Sequence, residues 1–368
     1  MTWNWQQADW PHFDYDPAAL KPLEERFLKQ AGALIATCRH LPQADQTQLV
    51  VEILRDEALK TSEIEGEYLN RESLQSSIRK ELGLQSEATR RIPAAEKGVA
   101  EMMVLVYKNS LEPLTEAALF HWHRRLLKGR DLPNIGAYRT SREAMQIISG
   151  PIHKPKVHFE APPATQVPQQ MQQFFAWYQQ SGDQLPALTR SGITHLWFLA
   201  IHPFIDGNGR IARALSEKAL AEATGQATLI SLAQTIEATR KDYYHALHTT
   251  NRQLKIDEWL HYFANTILTA QASSLRKFEW LIIKAKHFQR LAGQLNPRQE
   301  KVLARLYREG PDGFKGGLSA ENYIALTHTS RATATRDLQD LVKKEALRKT
   351  GTLKHTRYWL AVDPSSWE

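Results

Sequence analysis

The chain has 368 residues, 42% of them hydrophobic and 24% charged, and 47 basic against 40 acidic side chains leave a net charge of +7. That length supports two or three domains with a sizeable core, and the single cysteine, Cys38, excludes an internal disulfide framework and any multi-cysteine zinc site. The opening "MTWNWQQADW" has no basic stretch leading into an apolar run, and no run of about eighteen apolar residues follows, so a cytoplasmic protein is expected and a secreted or membrane-spanning one is not.

In chain order, the aromatic-rich first residues suggest packing against a core. "QTQLVVEILRDEALK" and "LTEAALFHWHRRLLK" follow, with apolar residues at the three-and-four spacing of a helix, separated by a polar stretch, "KELGLQSEATRRIPAAEKG", that reads as a loop. "AMQIISGPIHKPKVHFEAPPA" breaks the helical pattern: β-branched and apolar residues flank a Gly-Pro turn signal, which predicts a β-hairpin over about 144–160. Helical spacing returns in "QMQQFFAWYQQ", "GITHLWFLAI", "IARALSEKALAEAT" and a long run from Asp257 to Leu291. A mostly α fold follows. Near "AGQLNPRQE" the pattern breaks again, and Pro297 suits the first turn of a new helix, so a small separate domain is expected from about residue 293.

The densest chemistry lies in "HPFIDGNGRIAR", His202 to Arg213. Pro203 disfavours helical backbone at His202, so the apolar helix before it should stop there and leave the imidazole at a helix end. Gly207, Asn208 and Gly209 can turn successive N–H groups inward just before the next helix, which makes an anion cradle. Arg210 and Arg213 are three apart on that helix and can clamp phosphate oxygens, Asp206 offers a hard oxygen to Mg²⁺, and His202 can accept a proton near neutral pH. Taken singly, each part also has a structural reading: a helix-end histidine, a tight turn, solvated arginines.

Together these residues resemble the Fic domain, whose signature His-x-Phe-x-Asp/Glu-Gly-Asn-Gly-Arg-x-x-Arg is filled at every fixed position. The resemblance extends over roughly 96–290, through "IGAYR", the hairpin and "RKDYYHALHTTNR". It implies a Fic-type helical core with a small β-hairpin flap that receives a target protein, and a protein adenylyltransferase that moves AMP from ATP to a Ser, Thr or Tyr hydroxyl with Mg²⁺ as cofactor. It implies His202 as base, Asp206 as metal ligand, Gly207, Asn208, Gly209, Arg210 and Arg213 as phosphate-binding residues, and Tyr244 and Asn251 at the adenine. Glycine at 209 distinguishes the signature from a variant with lysine there that phosphorylates its target.

Upstream, Thr61 and Glu65 in "LKTSEIEGEYL" share a helix face, which by itself reads as an amphipathic helix with solvated acids. Thr-Ser-Glu-Ile-Glu-Gly also resembles the inhibitory motif of Fic proteins, Ser/Thr-x-x-x-Glu-Gly/Asn, which implies that Glu65 pairs with Arg213 and stands where the ATP γ-phosphate would go. In some relatives this glutamate also serves AMP removal, so a deadenylylase is one alternative.

At the C-terminus, "NPRQEKVLARLYREG", "LSAENYIALTHTS" and "SRATATRDLQDLVKKEAL" read as three helices before a β-ribbon, and the order resembles a winged helix-turn-helix domain. Residues 296–368 carry 13 lysines and arginines against 9 acids, four of the seven net positive charges. Ser330 is the expected N-cap of a recognition helix bearing Arg331, Thr333, Thr335 and Arg336, with Lys354 and Arg357 on the wing. Duplex DNA is the expected partner of 293–368; a protein-interaction module is the other reading, and a transcription regulator that merely senses ATP is a rival for the whole chain. The implied domains are 1–95, 96–292 and 293–368. Neither the target protein nor the oligomeric state, a homodimer included, is fixed by the sequence.

Overall fold

The computed structural model describes residues 2–39, 41–85, 92–150, 155–310, 314 and 316–362, without the side chain of Lys354. In chain order it comprises α1 (Lys21–Arg39), α2 (Gln43–Ile64), α3 (Arg71–Glu81), α4 (Ala94–Lys108), α5 (Glu116–Leu126), β1 (Gln146–Ser149), β2 (Lys156–Glu160), α6 (Val167–Gln180), α7 (Ala187–Ile201), α8 (Asn208–Thr224), α9 (Leu232–Ala238), α10 (Arg240–Thr250) and α11 (Asp257–Arg290). Then come α12 (Pro297–Arg308), α13 (Ala320–Thr327), α14 (Arg331–Lys343), β3 (Leu347–Thr350) and β4 (Arg357–Leu360). The fold is mostly helical, with two separate two-stranded antiparallel sheets, β1-β2 and β3-β4, among the described residues. The first is the expected hairpin, whose turn residues 151–154 lie outside the described residues, as do 86–91 of the polar stretch expected as a loop.

Contacts divide the chain into two compact units, Met1–Ile35 with Gln46–Ser274, and Ala36–Asp45 with Leu275–Glu368. No break appears at residue 95, because Phe27, Leu74 and Ile78 share one core with Val99 and Met102. The later break falls at Ser274, ahead of 293, because the last turns of α11 carry apolar residues of the second core: Leu291 is buried in it, Phe288 packs against it, and Trp280 Nε1 donates to Tyr307 O at 3.0 Å.

The first unit is built around α7, in which every residue but Leu199 is buried. A helix buried on all sides has neighbours on all sides, and its polar residues, Arg190 and His195 among them, are buried with the rest. Helix α8 packs beside it, and the chain of α11 approaches so closely that a Cβ on Gly192 would sit 2.8 Å from Leu260 Cδ2, while Trp259 Nε1 donates to Gly192 O at 2.9 Å. The α7–α8 junction, which carries the signature, is therefore held by the most buried part of the unit. In the second unit, Pro297 opens α12 behind an Asn296 cap, Ser330 caps α14 by accepting from Thr333 N at 3.3 Å, and Asp337 accepts from Arg298 and Tyr323 to tie three helices together. No helix among the described residues is long and apolar enough to cross a membrane.

Candidate active site

Helix α7 stops at Ile201, as expected where Pro203 disfavours right-handed helical backbone at His202, and His202 takes left-handed backbone, φ 50° and ψ 59°. A left-handed non-glycine residue is held only where its surroundings over-determine it. Here His202 N donates to Phe198 O at 3.0 Å, and buried Arg139 donates through Nε to His202 O at 2.8 Å and through Nη2 to Ile201 O at 3.4 Å, satisfying carbonyls that a helix end leaves open. The imidazole Nδ1 lies 3.3 Å from Leu199 O. A carbonyl only accepts, so Nδ1 is assigned the hydrogen and Nε2 keeps its lone pair. Burial lowers the His202 pKa to about 4, so the ring is neutral at pH 7.

The loop beyond is clamped by Asn208, whose amide accepts from Phe204 N at 3.0 Å and donates to Phe204 O at 2.8 Å. Phe204 is fully buried and stacks on His123 of α5 with centroids 4.0 Å apart. His123 Nδ1 accepts from Gly136 N at 2.8 Å, which leaves Nε2–H to donate to Asp206 O at 3.1 Å. Gly207 has φ 84°, and a Cβ there would stand 2.8 Å from Leu126 Cδ2, so both conformation and close approach demand glycine. Asp206 remains half-exposed, with Oδ1 accepting from Gly207 N at 2.6 Å and Arg210 Nη2 at 3.3 Å.

Both signature arginines are buried, and the turn after α2 meets each with a carboxylate. That turn exists because Gly66 adopts φ 81° directly after Ile64 and Glu65. Arg213, 1% exposed, donates through Nε to Thr61 Oγ1 at 2.7 Å and through Nη2 to Thr61 O at 2.9 Å and Glu65 Oε1 at 2.7 Å. Arg210 Nη1 donates to Glu67 Oε2 at 2.8 Å, and Arg130 also pairs with Glu67. Arg213 Nη1 and Arg210 Nε are buried without a hydrogen-bond partner, two unspent cationic donors beside the cradle. A Cβ on Gly209 would come within 2.2 Å of Glu65 Oε1, so glycine at 209 is what admits the carboxylate.

His202, Asp206, Gly207, Asn208, Gly209 and Glu65 line a cavity of about 580 Å³ whose wall is completed by Tyr244 and Asn251 of the α10 region and by Ile147, Ile148 and Phe159 of the hairpin. The expected site residues thus meet in one place, except that Arg210 and Arg213 do not line the cavity. Tyr244 is 41% exposed, its hydroxyl donating to Ile64 O at 3.3 Å and the Arg240 guanidinium lying 5.8 Å from its ring centre. Asn251 is nearly buried and its carbonyl accepts from Asn4 N at 2.8 Å. Sequence patterning missed His123, Arg139 and Glu67. For Glu67 a signal existed, a second acid two residues after Glu65 across a glycine, and Arg139 closes the "IGAYR" stretch of the resemblance; for His123 there was none.

Residues 113–220 match the model of the Fic/DOC family, and residues 3–84 match a domain of unknown function (DUF4172). The signature, His202 to Arg213, and the hairpin both lie within the residues that match the Fic/DOC model. Over 126 residues the chain is 30% identical to a protein of Aquifex aeolicus named "Probable protein adenylyltransferase", an alignment that spans 34% of this chain and about a third, 36%, of that protein. A Fic family protein from Desulfovibrio desulfuricans has a similar structure, with TM-score 0.55 and 21% identity over 95% of this chain and 98% of that one. Fic-1 (aa134–508) from C. elegans gives TM-score 0.52 and 20% identity over 73% of this chain and 75% of that one. At these identities the structures support a Fic-like fold and nothing beyond it.

The donor set also fits a magnesium ion brought in with a nucleotide. Among the described residues no three His, Cys, Asp or Glu side chains cluster as an all-protein metal site. Asp206 offers one half-exposed carboxylate, and Mg²⁺ characteristically takes one or two carboxylates and fills its shell with water and substrate phosphates.

Proposed function

We propose that the protein transfers AMP from ATP to a hydroxyl side chain of a target protein, restrained by Glu65. The observation that carries the reading is that His202, the Asp206–Gly209 loop and Glu65 share one cavity, with Glu65 on Arg213 at 2.7 Å. In this reading the neutral His202 accepts the target hydroxyl's proton at Nε2 as the oxygen attacks the α-phosphorus, and pyrophosphate leaves. First-turn N–H groups of α8 at Asn208 to Arg210, which an α-helix leaves without intrahelical partners, receive phosphate oxygens. Mg²⁺, held by Asp206, supplies charge neutralisation at the phosphates when bound. Arg210 and Arg213 hold the outer phosphates, and Tyr244 and Asn251 border the adenine. The exposed Ile147 and Ile148 of the hairpin receive the target chain.

Glu65 then acts as a brake. While it holds Arg213, the γ-phosphate meets a carboxylate where it needs a guanidinium, and the α-phosphate is displaced from the attacking hydroxyl; misplacement on the ångström scale costs about 10² in rate. Incubating the protein and a protein mixture with Mg²⁺ and ATP labelled at either the α- or the γ-phosphate tests the reaction class. Label on protein from α-ATP alone is the expected outcome; label from γ-ATP would mean phosphorylation, and none from either would overturn the transfer.

For the second unit we propose a winged helix that binds duplex DNA. Its support is the exposure of Arg331 and Arg336 on α14 and of Arg348 and Lys349 on β3, with Arg357 partly buried on β4. Polarisation of a labelled duplex at low and high salt should show binding that falls steeply as salt rises; no binding at low salt would favour a protein partner.

A further inference from the structure

The segment that matches the domain of unknown function reaches the cavity twice. Its later part supplies Glu65; its first residues fasten two stretches of the cavity wall. Trp5 Nε1 donates to Glu160 O of β2 at 2.6 Å, and the Trp3 ring meets Phe159 of β2 edge-on at 5.4 Å. Asn4, fully buried, donates from its backbone to Asn251 O at 2.8 Å, Gln7 Nε2 donates to Arg252 O at 2.9 Å, and the Arg252 guanidinium lies 5.0 Å from the Trp3 ring centre. The arm is itself anchored: Trp10 and Phe13 pack edge-on against Trp197 of α7, and Asp14 exchanges backbone hydrogen bonds with Leu254 and Ile256.

The hairpin needs this support. A two-stranded hairpin alone is at best marginally stable in water, and here β1 is exposed along its whole length while Phe159 is the one buried residue of β2. Phe159 sits in a small cluster with Ala161 and Ala200, and Trp3, Trp5 and Trp10 pack against it. The same Phe159, together with Asn251, lines the cavity.

We propose that Trp3, Asn4 and Trp5 are positioning residues of the transfer site, locking β2 to the end of α10 so that the wall facing the base of ATP and the strand that receives the target are set together. This rests on the reading of the cavity given above. It assigns the first residues of the domain of unknown function a part in the site they abut.

The test uses the full chain, carrying Glu65→Gly so that nucleotide binding is unmasked, with and without Trp3→Ala plus Trp5→Phe; the second change removes the indole donor and keeps a ring. Hydrogen–deuterium exchange is expected to rise about tenfold in 156–160 and 247–252 and to stay unchanged in α7 and α8, as for a locally released segment. Affinity for ATP with Mg²⁺ should weaken by roughly threefold or more, and Trp3→Phe alone should retain most of it. Exchange that does not change, exchange that rises evenly through the unit, or local exchange without loss of ATP affinity would each overturn the proposal. Failure of the transfer reading would look different: the local exchange and affinity changes would persist in a protein that never moves AMP.

Discussion

Two walls of the same cavity are built in different ways. The signature loop is a closed set of contacts: Asn208 clamps Phe204, His123 holds the Asp206 carbonyl, Arg139 holds the His202 carbonyl, and each of these three side chains is buried. The wall made by α10 and the hairpin is looser, with Tyr244 and both isoleucines of β1 exposed and Asn251 engaged through its backbone. A site for phosphoryl chemistry needs fixed geometry where charge develops and tolerance where a base and a foreign chain are admitted. The contrast predicts that substitutions on the loop act on the chemical step and those on the other wall act on binding.

The largest effect is expected at His202. His202→Ala should cut AMP transfer by about 10² to 10⁴, the usual contribution of a general base, while ATP affinity measured by calorimetry stays near the parent's, because cradle and arginines survive. Labelling close to the parent's would remove His202 from the mechanism and erase the distinction between the walls.

At pH 5.5 a depressed and an ordinary His202 pKa differ about tenfold in the neutral base they leave. Burial depresses the His202 pKa to about 4, so at pH 5.5 the base stays neutral where an ordinary histidine of pKa 6.5 would be about nine-tenths protonated. kcat/KM should hold between pH 7 and about 5 and fall only below that. The sign for stability agrees at these groups: His202, His123 and His195 all have depressed pKa values, to about 4, 4 and 3, so each binds its proton less readily in the fold than in the unfolded chain, and the stability they contribute is lost as pH falls below 6.5 toward 4. Melting curves at each pH separate loss of the base from loss of the fold. An acid limb at 6.5 would contradict the burial argument.

The smallest effect is expected on the looser wall. Tyr244→Ala should raise the KM for ATP roughly fivefold with kcat little changed, since a half-exposed ring contributes on the order of 1 kcal/mol by stacking. A fall in kcat with KM constant would show that Tyr244 belongs with the loop.

What the sequence made legible follows the same division. The helix end at His202 could be read because Pro203 acts on its immediate neighbour, and the turn at Gly207 because only glycine suits a positive φ under a close contact. Helices α2, α5 and α11 could be read because burial of one face imposes a period of 3.6, whereas α7, buried on all sides, showed itself by its continuous apolar run before Pro203. The roles of His123 and Arg139 could not, because each depends on an element packing beneath a loop distant in the chain. Glu67 reaches Arg210 only through the turn that Gly66 makes, and the tryptophans of the first residues announced packing without naming the strand they pack on. The second unit began earlier than the proline at 297 suggested, because α11 runs on without a sequence break while its apolar residues change core.

The central claim, that a carboxylate from outside the residues that match the Fic/DOC family holds the second signature arginine away from ATP, is tested by measuring AMP transfer from α-labelled ATP for four proteins under matched Mg²⁺: the parent, Glu65→Gly, Arg213→Ala and the double variant. Freed Arg213 should raise transfer in Glu65→Gly by up to about 10², while Arg213→Ala should be inactive with or without Glu65, since the clamp is lost along with the brake's partner. A Glu65→Gly protein that labels no faster than the parent, or a double variant as active as Glu65→Gly, would contradict the account and leave Glu65 as an ordinary ion-pair partner of a buried arginine.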